Sequence, residues 1–172
     1  MYCGIDLAVK RKTAIGVLEK YEIQIVEVYT NEEIVNLCSK AKVVAIDSPL
    51  SHSNGFRNVD KAMIRNGYKV LPPSFMKKLV DRAIELSKQL GNVIETHPTS
   101  SMKNINMNWK EFHVIKDYVD AAICAAVAMA YDNGCAMEIG ANDGAIYLLK
   151  KSFPYRLEKI DDFRFRLKRY IG

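Results

Sequence analysis

The chain has 172 residues, enough for one domain with or without an appendage and too few for two full cores. Apolar residues make up 49%, charged residues 26% and aromatics 9%, which excludes a disordered, collagen-like or fibrous protein. Twenty-five Lys and Arg against 20 Asp and Glu leave a net charge of +5, which permits a polyanionic partner without requiring one. Residues 2–8 (YCGIDLA), 13–19 (TAIGVLE) and 22–29 (EIQIVEVY) are short and rich in Ile and Val, and predict three strands in hairpin connection. Thr30 and Asn31 offer an N-cap, with Glu32 and Glu33 in the first turn of a helix to about residue 40. Residues 42–47 (KVVAID) form an apolar run ending in an acid, the pattern of a strand buried on both faces.

A loop follows (SPLSHSNGF, 48–56), then a short helix over 57–66 closed by Gly67. Pro72 and Pro73 break the chain before an amphipathic helix over about 74–90, closed by Gly91. Residues 92–96 (NVIET) predict a strand that His97 and Pro98 terminate. After a less regular stretch comes the longest helix, about 110–132, then a last strand at 145–149 and a basic tail. This order predicts an α/β fold: a mixed sheet of five or six strands with helices on both faces.

The four cysteines are widely spaced without a CxxC pair, which reads as reduced thiols in place of a disulfide framework or a zinc site. The three histidines are too scattered to suggest a metal site. The N-terminus has no basic segment ahead of its apolar stretch, and the longest apolar run, 121–131, is too short to span a bilayer. The expectation is a cytoplasmic protein with no membrane association, and a homo-oligomer is compatible with it.

Four acids stand where apolar structure places its ends. Asp6 lies between Ile5 and Leu7, Asp47 ends VVAID, Glu95 ends VIE, and Asp120 precedes AAICAAVAMA. An acid among apolar neighbours loses hydration and must be paired, protonated or bound to a cation. Hard divalent ions such as Mg2+ and Mn2+ prefer carboxylate oxygens, so four such acids suggest one shared cation site. Asp117 and Asp120 are three apart and project from one helix face. The alanines after Asp120 leave little bulk, so that helix can lie close against a sheet and bring its acids to the strand ends. Taken singly, Asp47 also reads as a turn residue and Asp117 as a solvated helix residue.

GIDLA at 4–8, AIDSPL at 45–50, RNVD at 57–60, ETHP at 95–98, KDYVDAAICAAVA at 116–128 and DGAIYLL at 143–149 occur in order. Together they resemble the nuclease family of ribonuclease H-like fold known as domain-of-unknown-function family 429, over residues 2–149. The acid pair on the last helix also resembles the Holliday-junction resolvases. The resemblance implies a ribonuclease H-like domain over 1–149 and a carboxylate cluster holding two Mg2+ or Mn2+ ions, about 4 Å apart, for in-line displacement at phosphorus. It implies Asp6 as the bridging ligand, Glu95 or Asp47 as the second and Asp120 as the third, with Asp117 in support. Nucleic acid, RNA or DNA, is the implied partner.

Lys10, Arg11 and Lys12 in the first hairpin turn read as phosphate contacts or as a solvated basic turn. Arg57 either pairs with Asp60 or grips a phosphate, and His97 either assists proton transfer or packs at a strand end. Two further functions compete with a nuclease: a binding module of the same fold without turnover, and an enzyme on a small phosphorylated substrate. The last lacks a second domain and a phosphate loop such as GxxxxGK. Residues 150–172 hold eight Lys or Arg and three Asp or Glu, so the whole excess of five lies there and residues 1–149 balance at 17 each. With Phe153, Tyr155, Phe163, Phe165 and Tyr170 interleaved, this tail reads as a detachable nucleic-acid contact or as a docked strand or helix.

Overall fold

The computed structural model describes residues 1–170. Strands β1 (Tyr2–Asp6), β2 (Thr13–Glu19) and β3 (Glu22–Val28) form an antiparallel meander. Lys20 and Tyr21 both adopt the left-handed backbone that a two-residue hairpin turn requires. The chain then crosses through α1 (Asn31–Cys38), whose Thr30 and Glu33 complete a capping box, to β4 (Val44–Ile46) parallel to β1. Helix α2 (Asn58–Arg65), a 3-10 turn at Pro73–Met76 and α3 (Lys77–Gln89) lead to β5 (Val93–Thr96), parallel to β4. After α4 (Pro98–Asn104) and α5 (Lys116–Asp132) come β6 (Met137–Ala141) and β7 (Gly144–Leu148). Strands β8 (Tyr155–Asp161) and β9 (Arg164–Arg169) finish the described chain.

The result is one mixed sheet in the order β6-β7-β5-β4-β1-β2-β3-β9-β8. Alternation along the strands sends Cys3, Ile5, Ile15, Val44 and Ile46 to a core shared with α1 and α3. Ala14, Leu18 and Ala45 go to the opposite core, formed with α5. Helices therefore cover both faces.

Helix α5 lies unusually close to the sheet. Gly4 and Gly16 are register partners on β1 and β2, directly beneath it. A Cβ at Gly4 would overlap the backbone of Ala121, Cys124 and Ala125, and one at Gly16 would come within 2.7 Å of the Ala121 carbonyl oxygen. The paired glycines and the helix alanines remove side-chain bulk from both sides of the contact, so backbone meets backbone.

The sheet has nine strands, more than the five or six expected. The additions are β6, a short edge strand, and the hairpin β8–β9, which occupies the basic tail. That tail is part of the fold: Ile23 of β3 registers against Phe165 of β9, and Leu157, Phe165 and Leu167 are buried in the α5 core. Its charges point outward at alternate positions, and residues 171 and 172 lie outside the described residues. The long helix begins at Lys116, six residues later than expected, and residues 98–104 are helical where no regular element was expected. The cysteines also differ from expectation. Cys3 of β1 and Cys38 at the end of α1 form a disulfide, with Cα atoms 5.9 Å apart, because the crossover packs α1 across β1. Cys124 is free and buried, and Cys135 is free and exposed.

Candidate metal centre and its cleft

Because β1 and β4 run parallel, their C-terminal ends leave the sheet side by side, carrying Asp6 and Asp47 to the same edge. The Asp47 amide donates to the Ile5 carbonyl, 2.9 Å, which holds that edge together. The close seat of α5 delivers its first turn to the same place. One carboxylate oxygen from each of Asp6, Asp117 and Asp120 lies within 4.8 Å of the others, a group able to hold a metal ion. Asp6 is 6% exposed, and its Oδ2 is the one buried side-chain nitrogen or oxygen among the described residues with no hydrogen-bond partner. A buried carboxylate oxygen without a donor is costly unless a cation or a proton meets it.

The electrostatics follow from that crowding. Burial, then the charges of Asp47, Asp120 and Asp117, push the Asp6 carboxyl up to about 9. Burial and Asp120 raise Asp47 to about 7. Asp120 is also raised by burial, although Lys116 offsets part of this with its ammonium 2.8 Å from Oδ2. Burial acts on Asp117 in the same direction, but the Arg11 guanidinium, 2.9 Å from Oδ2, together with Asp6 and Lys116, outweighs it and leaves Asp117 below the ordinary range.

Glu95 is engaged elsewhere. Arg57 donates to both its oxygens, at 2.8 and 2.6 Å, to both oxygens of Asp60, at 2.9 and 2.8 Å, and to Ser51 Oγ at 3.1 Å. The Leu50 amide adds a bond to Glu95 at 3.0 Å. Arg57, whose side chain is 4% exposed, thus locks the 48–56 loop to β5 and α2. Of its two sequence readings the structure realises the ion pair, extended to Glu95. The local signal, Asp60 three residues after Arg57, revealed only half of this network.

The remaining expected residues divide by position. Lys10, Arg11 and His97 line a cleft of about 870 Å3 that also contains the acids, whereas Lys12 turns away to lie 5.5 Å above the Tyr29 ring. His97 Nδ1 meets Ser100 Oγ at 2.6 Å, and burial, with Lys116 nearby, lowers its pKa to about 4 and leaves it neutral. Sequence reasoning missed Lys116, although its placement four residues before Asp120 is the spacing of a helical ion pair. It also missed Leu71, Phe75, Lys77 and Lys78, which line the same cleft. No helix among the described residues is long and apolar enough to cross a membrane. Comparisons of this chain with protein-family models, with curated proteins and with solved structures find no match.

Proposed function

We propose that the chain is a metal-dependent phosphodiesterase that acts on nucleic acid, with Asp6, Asp117 and Asp120 holding Mg2+ or Mn2+ and Asp47 beside them. The observation that carries this reading is the buried, partnerless Asp6 Oδ2 facing two further carboxylates. The order β3-β2-β1-β4-β5, antiparallel for the first three strands and parallel for the rest, supports a ribonuclease H-like core. So does the position of the acids, one in the first strand and two on the last helix. Strands β6 and β7 on one side and β8 and β9 on the other extend that core.

A divalent ion, or a pair of them, held there supplies charge stabilisation for an in-line displacement at phosphorus. The chain's own groups do the rest. Lys116 and Arg11 neutralise two acids of the centre and so limit its repulsion toward a phosphate. Lys10 faces the cleft with no acid of its own among the described residues and suits a phosphate contact. His97, neutral and with Nδ1 engaged by Ser100, suits a hydrogen bond to substrate at the cleft wall and is a weak base. Glu95 acts through structure, fixing the loop that carries Ser48 and Pro49 to the cleft.

The test is cleavage of a panel of single-stranded, double-stranded and branched RNA and DNA with Mn2+. Cleavage is expected from the native chain and should fall by about 100-fold or more in Asp6→Asn and Asp120→Asn, with unchanged circular dichroism. Crystals soaked in MnCl2 should show anomalous peaks between these acids. A second reading, a binding module without turnover, is favoured by one contact: Lys116 already satisfies both oxygens of Asp120. Nucleic-acid binding that persists in both variants, with no cleavage by the native chain, would establish that module instead.

A further inference from the structure

One stretch of the cleft's rim, residues 71–78, is built in a way that folding alone does not favour. Phe75 is 74% exposed and Leu71 is 60% exposed, and both line the cleft. They stand on a stiff support: Pro72 and Pro73 fix the backbone entering the 3-10 turn, and the Phe75 amide bonds to the Pro72 carbonyl at 3.0 Å. An aromatic ring held out on such a support has lost flexibility without gaining burial. Lys77 and Lys78 follow at once, exposed, in the first turn of α3, a turn without an acidic residue. Cations are disfavoured at that end of a helix. Neither lysine forms an ion pair with an acid among the described residues, and both line the cleft.

We propose that this rim is the seat of an unpaired nucleotide: a base stacks on Phe75 against Leu71, and Lys77 and Lys78 hold the adjoining phosphates. The proposal rests on the nuclease reading and narrows its substrate to single-stranded or locally unpaired nucleic acid. Stacking on a protein ring needs an open base face, which a duplex hides and a single strand offers. The charge pattern agrees, since Lys10, Arg11, Lys77 and Lys78 line the same cleft as the acids. A phosphate chain bound in it meets positive charge as well as the metal centre.

The experiment measures binding of a short fluorescent single strand and of the matching duplex by anisotropy, with Ca2+ replacing Mn2+ to suppress turnover. Phe75→Ala should weaken single-strand binding about tenfold and leave duplex binding and Mn2+ affinity unchanged, and Phe75→Trp should restore it. Replacing Lys77 and Lys78 with Gln should reduce the slope of log affinity against log salt by about 1.4. Native binding that is undiminished in Phe75→Ala, or equal losses on strand and duplex, overturns the proposal and leaves the nuclease reading intact. Mn2+ binding without affinity for either nucleic acid overturns both.

Discussion

Around Arg57 each of the five guanidinium N–H groups finds an oxygen, on Asp60, Glu95 or Ser51. Around Asp6, three carboxylates face one another and one buried oxygen has no donor. Both clusters reach the same cleft, and both bury carboxylates. In the first, burial is answered by complementary charge, and the product is a rigid loop. In the second, Lys116 and Arg11 answer Asp120 and Asp117 but no donor meets Asp6 Oδ2, and the product is a group able to hold a metal ion. Buried acids alone therefore do not distinguish a brace from a site; how their remaining lone pairs are met does.

The comparison can be broken first at the brace. Arg57→Ala leaves Asp60 and Glu95 buried and unpaired, and should lower unfolding stability by about 3–5 kcal/mol. Urea denaturation measures that loss. Mn2+ titration by calorimetry of the folded variant should give near-native affinity, and a loss of affinity equal to that of Asp6→Asn would place the brace within the site.

The next effect concerns pH. Asp6 and Asp47 have pKa values raised to about 9 and about 7, so the folded chain retains protons that the unfolded chain has released. Across the window from the ordinary carboxylate range to about 9, the metal-free protein therefore loses stability as pH rises. Melting temperatures without metal should fall through that window, and saturating Mn2+ should flatten the curve. A metal-free melting temperature that climbs toward pH 9 would contradict an uncompensated centre.

The smallest effect is expected at the rim. Arg11 is 62% exposed in its pair with Asp117, so Arg11→Ala should change stability by less than about 1 kcal/mol. Mn2+ affinity should rise slightly because Asp117 loses a competing cation. A fall in affinity would show that Arg11 instead orients Asp117.

Much of this arrangement was legible in the residues. The Ile and Val runs located β1 to β5, and the acids at element ends located Asp6, Asp47 and the α5 pair. The alanine run after Asp120 announced a close helix. What escaped depends on partners distant in sequence. Glu95 and Asp6 look alike along the chain, each an acid directly after apolar strand residues, and only the folded position of Arg57 separates them. Cys3 and Cys38 are 35 residues apart and meet through a crossover. RFRLKR in β9 alternates as a strand with one solvated face should, but its dense positive charge suggested a tail because nothing local shows that β3 awaits a neighbour. Phe75 carried no signal at all, since exposure is not written in a residue's type.

The glycine pair under α5 has a consequence for how the centre tolerates change. Gly4 and Gly16 offer no functional group, yet they set the height at which the helix rides over the sheet, and hence how near Asp117 and Asp120 come to Asp6. They work as a spacer of zero thickness. A single methyl group there would open the acid cluster from below while leaving every one of its acids in the sequence. Loss of function in this protein can thus arise with the whole carboxylate set unaltered, through a shim inserted one or two helical turns away from it.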